Sequence, residues 1–150
     1  MTLPEGGGRD HYRKLERMYV SAPVSRWYGI SIKIDEGRAE VFLPVKPEFL
    51  HAARAVHGSV YFRALDDAAF FAANSLVPDV FVLTASFNVH FIRPASSGTL
   101  RAEGRILHRG GRLIVAESTL FNDAGETLGH GSGVFSRSSI PLTAEIGYAD

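Results

Sequence analysis

Ser59-Val60-Tyr61-Phe62-Arg63-Ala64-Leu65-Asp66-Asp67-Ala68-Ala69-Phe70-Phe71-Ala72-Ala73-Asn74-Ser75-Leu76-Val77 contains no Gly or Pro and stops at Pro78. Its Ala, Leu and Phe content predicts a helix over 59–77, about 27 Å long at ~1.5 Å per residue. At about 100° per residue, Ser59, Arg63, Asp66, Asp67 and Asn74 share a sector of roughly 100°, while Phe62, Leu65, Ala69, Phe71, Ala72 and Ala73 occupy the remainder. A helix apolar over most of its circumference has to be surrounded.

The sequence on either side supplies the strands to do so. Upstream, the β-rich runs WYGISIKI and RAEVFLPV, separated by Asp35-Glu36-Gly37, predict a hairpin between Arg26 and Pro44. Downstream, Phe81, Leu83, Ala85, Phe87, Val89 and Phe91 alternate with Thr84, Ser86, Asn88 and His90. That alternation predicts a strand with its apolar face on the helix and its polar face turned away. Three further strands, Thr99 to Arg109, Arg112 to Asn122 and Glu126 to Arg137, are joined by Gly110-Gly111 and Asp123-Ala124-Gly125, the turn chemistry of an antiparallel meander. Near the start, Tyr12, Leu15, Met18 and Tyr19 form one stripe of a short covering helix over 9–20. Residues 1–8, with Pro4 and three glycines, read as a loose lead-in and residues 138–150 as a tail, which leaves one domain over 9–137. The predicted class is α+β: a curved antiparallel sheet packed on one long central helix.

Composition narrows the function. The 150 residues suit one globular domain, with 45% apolar and 21% charged residues. Lys plus Arg and Asp plus Glu balance at 16 each, so no net field favours nucleic acid or an anionic membrane. With no cysteine there is no disulfide, thiolate metal site or cysteine nucleophile. The opening MTLPEGGGRD lacks the basic end and apolar run of a signal peptide, and no apolar stretch reaches membrane-spanning length, so a cytoplasmic protein is expected.

The chemistry concentrates on the helix. Asp66 lies beside Phe62, Ala69, Ala73 and Phe70, and a carboxylate in such company needs a reason to be there. Arg63 can pair with Asp67 at i+4 or reach Asp66 at i+3, and spacing leaves the choice open. Immediately before the helix stands His57-Gly58-Ser59, where glycine admits a close approach and the first-turn N–H groups await an oxygen that becomes negative. His51, His57 and Asp66 match no compact metal motif, and neither a metal nor a cofactor is expected. Gly129, Gly131 and Gly133 lie within a strand, with no helix after them; they read as room for the central helix or an acyl group rather than as a phosphate loop. No G-x-S-x-G elbow or P-loop is present. His90, His108 and His130, scattered on strands, read as packed or solvated.

The stretch His57-Gly58-Ser59-Val60-Tyr61-Phe62-Arg63-Ala64-Leu65-Asp66 with Ala68 and Asn74-Ser75, and the strand ending Phe91-Ile92-Arg93-Pro94-Ala95, resemble the hotdog-fold acyl-CoA thioesterases of the phenylacetic-acid (PaaI-like) branch. The resemblance covers about Trp27 to Arg137. It implies that Asp66 is the catalytic carboxylate, as base or nucleophile, that His57 and the N–H after it polarise the thioester, and that Thr84 is contributed from a neighbouring subunit. It also implies homodimers, or dimers of dimers, that pair through their sheets with sites at the interface. The acyl-coenzyme A substrate is then expected to meet His51, Ser59 and Asp67 near the acid and an apolar pocket including Phe62, Phe70 and Phe81. Arg93 and Arg112, with Arg109, are the candidates for its phosphates. Two positions depart from the family pattern: Ser59 stands where a second Gly is frequent, and His51 where Asn is frequent, which bears on substrate choice. A hydratase or dehydratase of acyl thioesters and a non-catalytic acyl-CoA-binding module are the alternatives.

Overall fold

The computed structural model describes residues 7–150. Six strands, β1 (Ser31–Asp35), β2 (Arg38–Pro44), β3 (Val80–Phe91), β4 (Thr99–Arg109), β5 (Leu113–Phe121) and β6 (Thr127–Pro141), form one antiparallel sheet in the order β1-β2-β4-β5-β6-β3. Among the described residues three α-helices accompany it: α1 (Gly7–Ser21), α2 (Pro23–Tyr28) and the long α3 (Gly58–Ser75). The sheet curves around α3, which packs on all six strands, the hotdog arrangement of an α+β fold. Along α3, Ala64, Leu65, Ala68, Ala69 and Ala73 are fully buried in one core with Val41, Leu43, Leu100, Ala102, Leu120 and Phe135. Small residues let this helix sit deep: a Cβ at Gly104 would lie 2.1 Å from the Ala68 carbonyl oxygen. No helix among the described residues is long and apolar enough to cross a membrane.

Several expectations need correction. Trp27 and Tyr28 belong to α2 rather than to the first hairpin strand. Pro23 opens α2 with its fixed φ, and Gly29, at φ 69° in the left-handed region, ends it, so β1 starts only at Ser31. In β3 the pairing register slips between Thr84 and Ser86. This bulge reverses the alternation: Val82 and Thr84 face the helix before it, Phe87 packs on Phe62 and Phe135 after it, and Leu83 and Ala85 are exposed. Gly131 and Gly133 make room for the Phe87 ring, 2.5 Å from a Cβ built at either, and the helix comes closest at Gly104 instead.

The terminal segments are more structured than composition suggests. The first helix begins at Gly7, inside the segment read as a lead-in, of which residues 1–6 lie outside the described residues. Beyond residue 137, β6 continues to Pro141, and Tyr148 returns to α1. The buried His11 Nε2–H donates to the Asn74 carbonyl at 3.0 Å, so its Nδ1 accepts from the Tyr148 hydroxyl at 2.8 Å. Burial holds the imidazole below its ordinary pKa, in the neutral form this pairing requires.

Candidate active site

Asp66 and Asp67 are neighbours on α3, and the helical rotation between them gives them different partners. Asp67 turns towards α1, where Oδ2 accepts from the Tyr19 hydroxyl at 2.6 Å and from Arg63 Nε in a short ion pair. The alternative that spacing left open is thereby settled: Arg63 pairs at i+4. Its Nη2 also donates to Ser25 Oγ at 2.9 Å, and its guanidinium lies 4.7 Å from the centre of the Tyr28 ring. Burial pushes the Asp67 carboxyl up while Arg63 and Tyr19 pull it back. Burial and the Asp67 charge raise the Tyr19 phenol far above its usual range, so it remains a donor.

Asp66 is held more loosely. Its one hydrogen bond among the described residues comes from Thr84 Oγ1 to Oδ1 at 3.0 Å, within the same chain. No subunit boundary is crossed by this contact; the β3 bulge has already brought Thr84 to the helix side. Burial and, next, the adjacent Asp67 charge push the Asp66 carboxyl up to about 6, against the opposing pull of Thr84 and Arg63. Asp66, Asp67, Arg63 and Thr84 share a cavity of about 500 Å³ with Phe70 and Phe81. The rest of its wall includes Met18 and Tyr19 from α1, Phe71, and Ile140 and Ile146 near the C-terminus. An acid of raised affinity for its proton, facing an apolar space, is suited to proton abstraction near neutrality.

The residues at the helix start lie elsewhere. His57 is the N-cap of α3: its Nδ1 accepts from the Ser59 N–H at 3.0 Å and lies 2.7 Å from Ser59 Oγ. Because Nδ1 is an acceptor, the proton of the neutral ring sits on Nε2 and points outward as a donor. Gly58 occupies the first helical position, where an N–H has no acceptor inside the helix. His51 repeats the pattern, its Nδ1 accepting from the Ala53 N–H at 3.1 Å. Gly58 and His51 line a second cleft of about 340 Å³ with Tyr61, Phe91, Ile92 and Arg93. A Cβ on Gly58 would meet the Phe91 ring at 3.0 Å, so glycine here also preserves contact with β3.

The structure therefore divides the expected site. Eight residues of helix separate Gly58 from Asp66, about 12 Å at ~1.5 Å per residue, so the two cannot act on one carbonyl from the same helix. Phe70 and Phe81 line the Asp66 cavity, whereas Phe62, next to Phe87, does not. Arg93 borders the His51 cleft and pairs with Glu126 at 2.6 Å. Arg112 lies in the turn before β5, towards the other end of α3, where Arg109 Nη2 donates to the Leu76 carbonyl at 3.3 Å. Sequence reasoning missed Tyr19, Met18, Ile140 and Ile146; only the apolar stripe of α1 signalled the first two, and it read as plain cover. Among the described residues no group of three or more His, Asp or Glu is placed to hold a metal.

Comparison with known proteins agrees with this architecture. Residues 54–128 match the family model of the thioesterase superfamily. A Saccharolobus solfataricus protein whose assigned name proposes an esterase is 32% identical over 98 residues, spanning 65% of this chain and 69% of its own length. The acyl-coenzyme A thioesterase PaaI of Escherichia coli is 26% identical over 136 residues, 89% of this chain and 96% of its own. The solved structure of E. coli PaaI superposes with a TM-score of 0.82 at 25% identity, covering 91% of this chain and 99% of that one. A conserved Pseudomonas aeruginosa protein superposes with a TM-score of 0.75 at 26% identity, covering 81% and 97%.

Proposed function

The chain belongs to the thioesterase superfamily, and from that premise we propose that it hydrolyses acyl-coenzyme A to the free acid and coenzyme A, acting in the cytoplasm as a homodimer or dimer of dimers. The observation that carries this reading is Asp66: a carboxylate with a single hydrogen bond among the described residues, from Thr84, and a pKa raised to about 6, on the wall of an apolar cavity. The similarity to the E. coli acyl-coenzyme A thioesterase supports the choice of thioester.

In this mechanism the acyl group occupies the cavity beside Phe70, Phe81 and Met18. Asp66 takes a proton from water as the water oxygen attacks the thioester carbonyl carbon. Charge develops on the carbonyl oxygen, which needs donors within hydrogen-bond distance. The Gly58 N–H and the His57 Nε2–H are donors of the right kind, but those of the same chain are about 12 Å along the helix from Asp66. A second copy supplies them. β3 is an edge strand of 12 residues, and Leu83 on it and Phe62 beside it are 46% and 41% exposed, so this edge offers both unpaired backbone and apolar surface to another β3. Collapse of the tetrahedral species breaks the carbon–sulfur bond, and the departing thiolate takes up a proton.

Release of free thiol from a panel of short, long and aromatic acyl-CoAs tests the reading, with Asp66→Asn as control. Thiol release that the variant abolishes supports hydrolysis at this acid. A change in acyl unsaturation without thiol release would mean a hydratase, and binding without either would mean a carrier or sensor.

A further inference from the structure

Arg63 creates a problem that the rest of the network solves. Its guanidinium fastens the α1–α2 segment to the central helix, through Ser25 Oγ at 2.9 Å and by stacking 4.7 Å from Tyr28 and 5.6 Å from Tyr19. That segment walls the cavity, so the tie has a use. An arginine three positions before Asp66 on a helix is nevertheless in reach of it, and an ion pair there would occupy the carboxylate that must accept a proton from water. In the structure Arg63 turns instead to Asp67, whose Oδ2 is also held by the Tyr19 hydroxyl at 2.6 Å. Two donors on one oxygen favour the charged form of Asp67 against the burial that raises its pKa, and hold the carboxylate in one orientation. Asp66 is left with the uncharged Thr84 as its only hydrogen-bond partner among the described residues.

We propose that Asp67 and Tyr19 are positioning residues that hold the Arg63 guanidinium away from Asp66 and so keep the base free. The proposal rests on the reading of Asp66 as the catalytic base. Among the described residues the charged and titratable groups facing that base are few. α3 contributes Arg63 and Asp67, and α1 contributes Tyr19, which acts through Asp67. β3 contributes only the neutral Thr84, and the cavity wall near the C-terminus is the apolar pair Ile140 and Ile146. Loss of the Asp67 charge therefore acts twice in one direction: a neighbouring anion disappears, and a freed cation gains a new partner in Asp66. Both lower its proton affinity.

The test is the pH dependence of kcat/KM for acyl-CoA hydrolysis in Asp67→Asn, in the double variant Arg63→Gln with Asp67→Asn, and in Asp66→Asn as reference. Asp67→Asn should move the acid limb down by roughly one pH unit or more, the scale of a new opposite charge beside a carboxylate. It should also lower the plateau roughly 10- to 100-fold, since a base engaged with Arg63 accepts protons poorly. Removing Arg63 as well should restore most of the plateau and return the limb towards the wild-type position. A merely structural role for Asp67 would also gain from removal of the stranded Arg63, but it predicts no downward shift of the acid limb in the single variant and no return of that limb in the double one. An Asp67→Asn profile identical to wild type overturns the proposal, as does a folded double variant as impaired as the single. If Asp67→Asn fails to fold, the double variant carries the test, because replacing both members of a buried ion pair by neutral residues avoids stranding a charge. Folded and active, it supports the proposal; folded and inactive, it overturns it. Hydrolysis surviving in Asp66→Asn would sink the base assignment itself, whereas an inactive Asp66→Asn beside an unaltered Asp67→Asn sinks only the positioning role.

Discussion

Around Asp66 the chain closes on itself: α1, α2 and the end of β6 wall an apolar cavity, and the acid receives Thr84 from its own β3. Around His57 and Gly58, at the start of the same helix, the walls are open, with Phe91 and Ile92 at 60% and 58% exposure. One region has its polar groups bonded to one another beside the buried Met18, Tyr19, Phe70 and Phe71. The other presents donors, the Gly58 N–H and the outward Nε2–H of His57, to whatever lies outside. On the proposed reading, a single chain forms the acyl cavity but leaves the thioester oxygen without the donors at the helix start, because a rigid helix cannot bring its first turn and its third to one carbonyl.

The sharpest break of this contrast comes at Asp66. Asp66→Asn should lower kcat/KM by at least about 10²-fold, the scale of a lost general base. The fold should survive, and the stability effect has a definite sign. A carboxyl whose folded pKa is raised from 3.8 to about 6 binds more protons folded than unfolded, so stability is lost as pH rises through that interval. The Asn variant escapes this loss: its Tm should exceed wild type at pH 8 and differ little at pH 4, as thermal scans at the two values would reveal.

Next in size is complementation. If the open region of one copy serves the closed region of another, exchange of subunits between Asp66→Asn and His57→Ala rebuilds one intact site in each mixed dimer. Activity in the mixture should rise to about a quarter of wild type for statistical exchange in a two-fold dimer. Asp66→Asn mixed with Thr84→Ala should not gain in this way, since both groups belong to one half-site. The reverse outcome, rescue by the second mixture alone, would place Thr84 across the interface and break the contrast.

A smaller effect is expected from Thr84→Val. Its hydroxyl lowers the Asp66 pKa by donating to the carboxylate. Its loss should move the acid limb of kcat/KM above the wild-type position, opposite in direction to Asp67→Asn, with a modest fall in the plateau. The smallest effect is expected at His51→Asn. His51 Nδ1 accepts from the N–H two residues on, a bond that an Asn side chain reproduces in an Asx turn, so the loop and most of the activity should persist while acyl preference shifts. Complete loss of hydrolysis with an intact fold would give His51 a primary role in the open cleft.

Much of this architecture was legible in residue order. The helix over 59–77 appears as Gly58–Ser75, and the strand over 99–109 appears unchanged, because an uninterrupted apolar helix pattern and a β-rich run bounded by turns are local signals. The Asp35-Glu36-Gly37 hairpin is local too: Gly37 takes φ 66°, the conformation the turn demands. β3 departs from its sequence pattern at one point. Perfect alternation from Phe81 to Phe91 put Thr84 on the outer face, and nothing in those residues announced the bulge after Thr84. The C-terminal residues looked like a tail, since Tyr148 gains its place only from a histidine 137 positions earlier.

The candidate site divides along the same line. Residue order alone places an acid among apolar neighbours on a helix opened by His-Gly, because spacing along one helix fixes which side chains share a sector and which N–H groups lack acceptors. That Arg63 pairs with Asp67 rather than Asp66, that Thr84 is the partner of Asp66 in its own chain, and that Tyr19 and Ile140 line the cavity are settled by packing. Those outcomes depend on contacts between elements far apart in the chain, where a one-residue slip in strand register or one competing hydroxyl on a neighbouring helix reverses the result.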